Sequence, residues 1–448
     1  MRQRIAYLIL SAILLTGCSV LPPSISLDDH ATWQSVPAWA QKRVQNPWWK
    51  AYGDTTLNTH IAGAFSDNPN LAVIAARLDR AEALLKQAGS ATKPRFGLEL
   101  GWRDGRKREA DFGPYNLAPW VGGALFSWEI DLTGKLHAAT RSASYTRDAA
   151  FWDVHAARLQ LASRIASTHF LIKRLKGDLA LLHDSHNASA GLVRVTRTQS
   201  NAGIIAGTRL SEQLAAHQQS QQAIHEIERL HRLSVVQLRT LVGDMTSPVS
   251  SKSSSLPHPS GISNISSKQL LAAHPRILAA EARVRAAFQM EKSAKLNLLP
   301  SFRFNASAVG SGNSLTRRYK IWQHQVGPSL DLPIYDPARM AQVKVNKAKC
   351  NEAAALYRSE IIKVLGEIDS ARINYLNRKK QLVSAQHEVS ALKRSYSHAQ
   401  SRFSEGVIAN DEPLRAKQKL IIGQIRERSI HKAILNDHIA LMKARGGG

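Results

Sequence analysis

The stretch "SWEIDLTGK", Ser127 to Lys135, alternates for six residues and then stops alternating. Trp128, Ile130 and Leu132 fall on one side of an extended chain, Ser127, Glu129 and Asp131 on the other. Period-two alternation is the mark of a strand with one apolar face, and Gly134 and Lys135 follow where a helical pattern begins, so the segment reads as a strand that turns directly into a helix. A second such corner, "SLDLPIYDPAR", runs from Ser329 to Arg339, with Pro333, Asp336 and Arg339 around its turn.

The corner occurs twice because the chain is a tandem duplication. Asn68–Phe96 aligns without a gap on His274–Phe302, so that Pro69 meets Pro275, Arg77 meets Arg283, Lys86 meets Lys292 and Phe96 meets Phe302. Further on, "SNAGIIAG" aligns with "RFSEGVIAN", pairing Gly203 with Gly406 and Ile205 with Ile408. The first repeat covers 18–245, with strands at about 94–103 and 119–132 and long helices over about 135–243. The second covers 268–448, with strands at about 300–310 and 322–335 and long helices over about 338–444. Residues 246–267, rich in Ser and Pro, read as a flexible crossover loop.

Ahead of the repeats, Arg2 and Arg4 precede an apolar run, Ile5 to Leu15, that is too short to span a bilayer and has the form of a secretory signal over residues 1–17. It ends in "LTGCS", which resembles the lipobox of bacterial lipoproteins. That likeness implies cleavage before Cys18, acylation of its thiol and, with Ser19 next, sorting to the outer membrane. The other cysteine, Cys350, lies in a helical pattern and reads as a small buried apolar residue.

With 60 Lys and Arg against 34 Asp and Glu, the 448-residue chain carries a net charge of +26 and attracts anions of any kind. The cations are spread along the chain without a recognition module, which argues against nucleic acid. "HEIERLH" lacks the H-E-x-x-H spacing, and there is neither a Walker A loop nor a G-x-S-x-G elbow, so nothing points to an enzyme, a metal or a cofactor.

Each first strand places an apolar set on one face, Phe96, Leu98, Leu100 and Trp102, then Phe302 and Phe304 in the repeat. Strands of about ten residues with this pattern suit a transmembrane barrel, and equally a soluble antiparallel sheet. The loops between them, Arg103–Asn116 and Gly310–Lys320, are basic; Arg106, Lys107, Arg108, Arg317, Arg318 and Lys320 are either solvated or paired with lipopolysaccharide phosphates. Beyond each corner, Val154, Leu161, Ile165, Ile172 and Leu175, and then Ile361, Leu365, Ile368 and Tyr375, follow a coiled-coil-like spacing. Gly177 and Asn374–Gln381 are candidate hairpin tips. Four strands per chain cannot close a barrel alone, so a membrane barrel requires two, three or four chains.

Taken together, the lipobox, "NPWWKAYGDTTLNTHIAGAFSDNPNL", the two corners, "RFSEGVIAN" and the terminal "LMKARGGG" resemble the outer-membrane efflux proteins, TolC-like, in their lipidated branch. The resemblance implies a mixed, mainly α membrane protein: a homotrimer with a twelve-stranded barrel continued by a periplasmic α-helical barrel. It implies a passive exit duct for drugs or other small solutes, working with a periplasmic adaptor and an inner-membrane pump of the resistance-nodulation-division class. A protein-secretion duct and a poreless coiled-coil lipoprotein are the alternatives.

Pro337 and Ala338 replace the paired glycines common at the family's second corner, which implies a stiffer turn. The family's periplasmic aperture lies on the helix after the second hairpin. Aligned through Gln381–Gln386, it corresponds here to Val389, Lys393 and Arg394, with Glu388 the nearest acid. Basic residues in such a ring would favour anions.

Overall fold

The computed structural model describes residues 47–102, 106–109, 113–116, 120–246, 249, 253–259, 273–312 and 321–447. The signal segment, Cys18 and the loop cations Arg317, Arg318 and Lys320 lie outside them.

Helix α1 (Thr55–Asp67) opens the described fold, after a 3-10 turn at Trp48–Tyr52. Each repeat then begins with a 22-residue helix, α2 (Pro69–Ser90) or α5 (Pro275–Leu296), with proline at the first helical position, where no amide hydrogen is needed. Asn68 caps the first by accepting from the Leu71 amide at 3.0 Å, and His274 caps the second by accepting from Arg276 at 3.3 Å. Strands β1 (Arg95–Trp102) and β4 (Trp120–Ile130) follow α2, with β2 (Arg106–Glu109) and β3 (Gly113–Asn116) between them. Strands β5 (Ser301–Gly312) and β6 (Ile321–Asp331) follow α5.

The corners lead into α3 (Lys135–Asn201) and α6 (Pro337–Ser404), of 67 and 68 residues, each about 100 Å long at 1.5 Å per residue. Two shorter helices return, α4 (Gly207–Val242) and α7 (Asp411–Ala444). Among the described residues, no helix is long and apolar enough to cross a membrane.

The main sheet is antiparallel in the order β1-β4-β5-β6. Its register pairs Phe96 with Phe126, Leu98 with Ala124, Trp102 with Trp120, Trp128 with Phe304, and Ala306 with Val326. Partners across a ladder share a face, so every even-numbered residue falls on one side. That side is apolar, with Phe96 80%, Leu98 87% and Val326 70% exposed, while Glu99, Ser127, Asn305, Gln325 and Ser329 occupy the other. Phe96, Phe126 and Phe304 stack edge to face at one end, and Trp102, Trp120 and Trp322 mark the opposite end.

The helices repeat the order of the sheet. Near the strands α2 packs on α3, α3 on α5 and α5 on α6; further away the row is α4, α3, α7, α6. The result at either height is a single layer of four helices. A second layer covers one side only: Trp48, Tyr52, Leu57, Ile61 and Leu256 bury against Ile165 and Phe170 of α3, Leu238 of α4, and Leu435 and Ile439 of α7.

Four expectations from the sequence need correction. The hairpin tips are not Gly177 and Asn374–Gln381, which lie inside α3 and α6; the chain reverses after Asn201 and after Ser404, where Gly203 and Gly406 adopt φ of 69° and 74°. Gly177 instead lets Arg428 of α7 cross the helix, for a Cβ there would overlap its guanidinium. The loop between β1 and β4 contains the β2–β3 hairpin. Part of the crossover is packed: Leu256 is buried, Arg428 donates to the Ser254 carbonyl at 3.1 Å, and His431 contacts the Pro257 carbonyl at 3.0 Å. Strand β6 ends at Asp331, four residues early, because its ladder partner β5 begins only at Ser301, the residue opposite Asp331, directly after Pro300.

Candidate functional site

The two corners are built differently. At the first, Gly134 takes φ 80°, a left-handed conformation that a side chain would strain, and the helix opens without a side-chain cap at that position. Asp131 compensates from six residues back, its carboxylate accepting from the His137 amide at 2.9 Å. At the second, Asp336 caps α6 through the Arg339 amide at 3.0 Å and Pro337 begins the helix, so no left-handed residue is required.

Both corners are tied to one point, the C-terminal end of α5. Lys135 donates to the Asn297 side chain at 3.3 Å, and Arg339 to the Asn297 carbonyl at 3.1 Å. Ser293 donates to the Lys135 carbonyl at 2.9 Å. Lys135 also pairs with Glu129 at 2.7 Å, and Arg339 with Asp331 at 2.9 Å. Trp128 lies on the apolar face and donates its indole N–H to the Thr92 carbonyl at 3.0 Å. Of the corner residues read from the sequence, Lys135 and Arg339 therefore meet at Asn297, while Asp131 and Asp336 serve the starts of their own helices and Gly134 makes the first turn. Asn297 and Ser293 are the members sequence reasoning missed, having no periodicity or motif of their own.

The expected aperture residues share α6, on the near side of the tip. Glu388 pairs with Arg426 of α7 at 2.8 Å, and Val389 is half-buried beside Gly423 of α7. Lys393 and Arg394 are exposed. All four lie on α6 ahead of the tip at 405–410, and α7 follows it.

Mid-height, buried charges join the layers. Asp54 caps α1 and lies 2.9 Å from His169 and 2.8 Å from Lys173, both on α3. Burial pushes its carboxyl up, but these hydrogen bonds prevail and hold it well below the usual carboxylate range. Burial lowers neighbouring His60 to about 4. Asp178, 1% exposed, accepts from Arg428 at 3.0 Å, and burial raises its carboxyl in spite of Arg174 and Arg428. Among the described residues, no group of three or more His, Cys, Asp or Glu is placed to hold a metal ion.

A sheet with one apolar and one polar face, continued by a single layer of helices in the same order, is one sector of a membrane-seated tube. The model of the family described as "Outer membrane efflux protein" matches residues 61–244 and 267–447. The pyoverdine export outer membrane protein OpmQ of Pseudomonas putida is 24% identical over 459 residues, covering 100% of this chain and 97% of its own. Toxin and drug export protein A of Aggregatibacter actinomycetemcomitans is 21% identical over 421 residues, with 90% and 89% covered. The solved outer-membrane channel OprN superposes with a TM-score of 0.82 at 21% identity, over 96% of this chain and 99% of that one.

Proposed function

Because the chain belongs to the outer membrane efflux protein family and is an outer-membrane efflux channel, we propose that three copies close its duct. The observation that carries this reading is the pair of open sheet edges, β1 and β6, flanking an apolar face. An unpaired edge cannot face lipid, and three four-stranded sheets give a twelve-stranded barrel. The same closure joins α6 of one copy to α2 and α4 of the next, making a twelve-helix tunnel in the periplasm.

The duct is the passive exit of a tripartite assembly, with a periplasmic adaptor and an inner-membrane pump of the resistance-nodulation-division class supplying direction and energy. Small solutes are its cargo, in keeping with relatives named for pyoverdine and for toxin and drug export. Cys18 carries a lipid anchor, and the basic outer loops meet lipopolysaccharide. Two measurements test the reading. Protein extracted in mild detergent should run as a heat-dissociable trimer and conduct in planar bilayers, whereas a non-conducting monomer would refute it. Mass spectrometry should find acyl chains on Cys18, lost in Cys18→Ala.

A further inference from the structure

Helix α7 divides its surface between two unlike faces. One meets the second layer: Arg428 and His431 hold the crossover carbonyls, and Leu435 and Ile439 enter its core. Glu412, Arg415, Lys419, Ile422 and Arg426 are its exposed line, spaced three and four apart. Arg426 is two residues from Arg428, about 200° round the helix, so the exposed line is turned away from the second layer.

In a ring of twelve helices about 10 Å apart, the axes lie on a circle of roughly 19 Å radius, leaving about 14 Å of open radius inside. Three copies of the second layer would fill that space, so the layer is outside. The exposed line of α7 then faces the lumen. It begins just past the tip at Gly406, with Arg415 and Lys419 about 6 and 12 Å into the helix.

The duplication supplies a control. In the register that pairs Gly203 with Gly406, the matching line on α4 is Arg209, Glu212, Ala216, Gln219 and Ala223, whose one cation and one acid cancel. In the second repeat the line carries three cations and one acid. Asp411 reaches Arg415 at 3.3 Å and Glu388 reaches Arg426 at 2.8 Å, while Lys419 has no ion pair among the described residues. On α6, Glu388 meets Arg426 of that line, and Lys393, five residues on, stands about 140° further round the helix, turned away from the line.

Resting on the trimeric duct, we propose that Arg415 and Lys419 form cationic rings at the periplasmic entrance which admit anionic solutes, carboxylate- or phosphate-bearing ones among them, in preference to cations. The test is the reversal potential of the full-length trimer in a planar bilayer under a tenfold KCl gradient. The wild type should prefer chloride, Arg415→Glu combined with Lys419→Glu should reverse the sign, and Lys393→Glu should leave it unchanged. The lone variant Lys419→Cys, modified by an anionic thiol reagent, should move the potential the same way, which covers failure of the double variant to assemble. A conducting wild-type pore that prefers potassium, or a selectivity indifferent to both Lys419 changes, overturns the rings and leaves the duct standing. A trimer that never conducts overturns both.

Discussion

Helices α3 and α6 hold matching places in the two repeats and differ by one residue in length, yet they are buried very differently. Helix α3 has neighbours on both sides at either height, and Ile165, Phe170, Ile172 and Leu175 are at most 2% exposed. Helix α6 has neighbours on one side only, and Leu356, Ile362 and Ile373 remain 60, 70 and 59% exposed. Duplication copied the element, and position in the row decided its environment. An apolar face left open at the end of a row is a face waiting for another copy.

The sharpest way to break the comparison is to charge that open face. Leu356→Asp with Ile362→Asp should abolish trimers on native gels while leaving helix content by circular dichroism intact, because neither side chain packs within the protomer. Next comes the lock special to α3. Arg428→Ala leaves the buried Asp178 with Arg174 alone and should cost about 3 kcal/mol, read as a lower midpoint in denaturant.

A third difference is titratable. The cap of α2 is Asn68, while the matching cap of α5 is His274, which burial holds at about 4. A histidine whose folded value lies below its ordinary one gives its full stability above pH 6.5 and loses it as pH falls towards 4, because the unfolded chain binds the proton first. The loss at pH 5 should be on the order of 1–2 kcal/mol, and His274→Asn should flatten that part of the thermal stability against pH profile. His60 adds acid sensitivity of the same sign. Asp54 works through a lowered carboxyl, so its contribution is present above the ordinary carboxylate value of about 4 and disappears below it. The smallest effect belongs to the corners: Gly134→Ala should lower stability by about 1 kcal/mol through its positive φ, whereas Pro337→Ala, at a site any residue adopts, should change far less.

Much of this architecture is legible in the chain. Alternation at Phe96–Trp102 and Ser127–Ile130 marks the strands and their apolar sides, and the ladder register places Phe96, Leu98, Trp102, Trp128 and Ile130 on one continuous face. The corners are visible because Gly134 and Asp336–Pro337 are local signals of a turn and a helix start. Gly177 misleads for a physical reason. A glycine inside a helical pattern reads as a break, and its real cause is a guanidinium 251 residues further along the chain. The tips at Gly203 and Gly406 are conspicuous as a repeated motif, but repetition does not distinguish a turn from any other shared feature.

By itself the sequence determined the duplication, the order and period of the elements, and which face of each strand is apolar, since these follow from local spacing. Only the tertiary structure decided that α3 lies inside the row and α6 at its end, that both corners meet at Asn297, and that the cations of α7 are turned away from the outer layer. Periodicity records that a face is buried, and it carries no label for the neighbour that buries it; that choice is made by contacts between residues far apart in the chain.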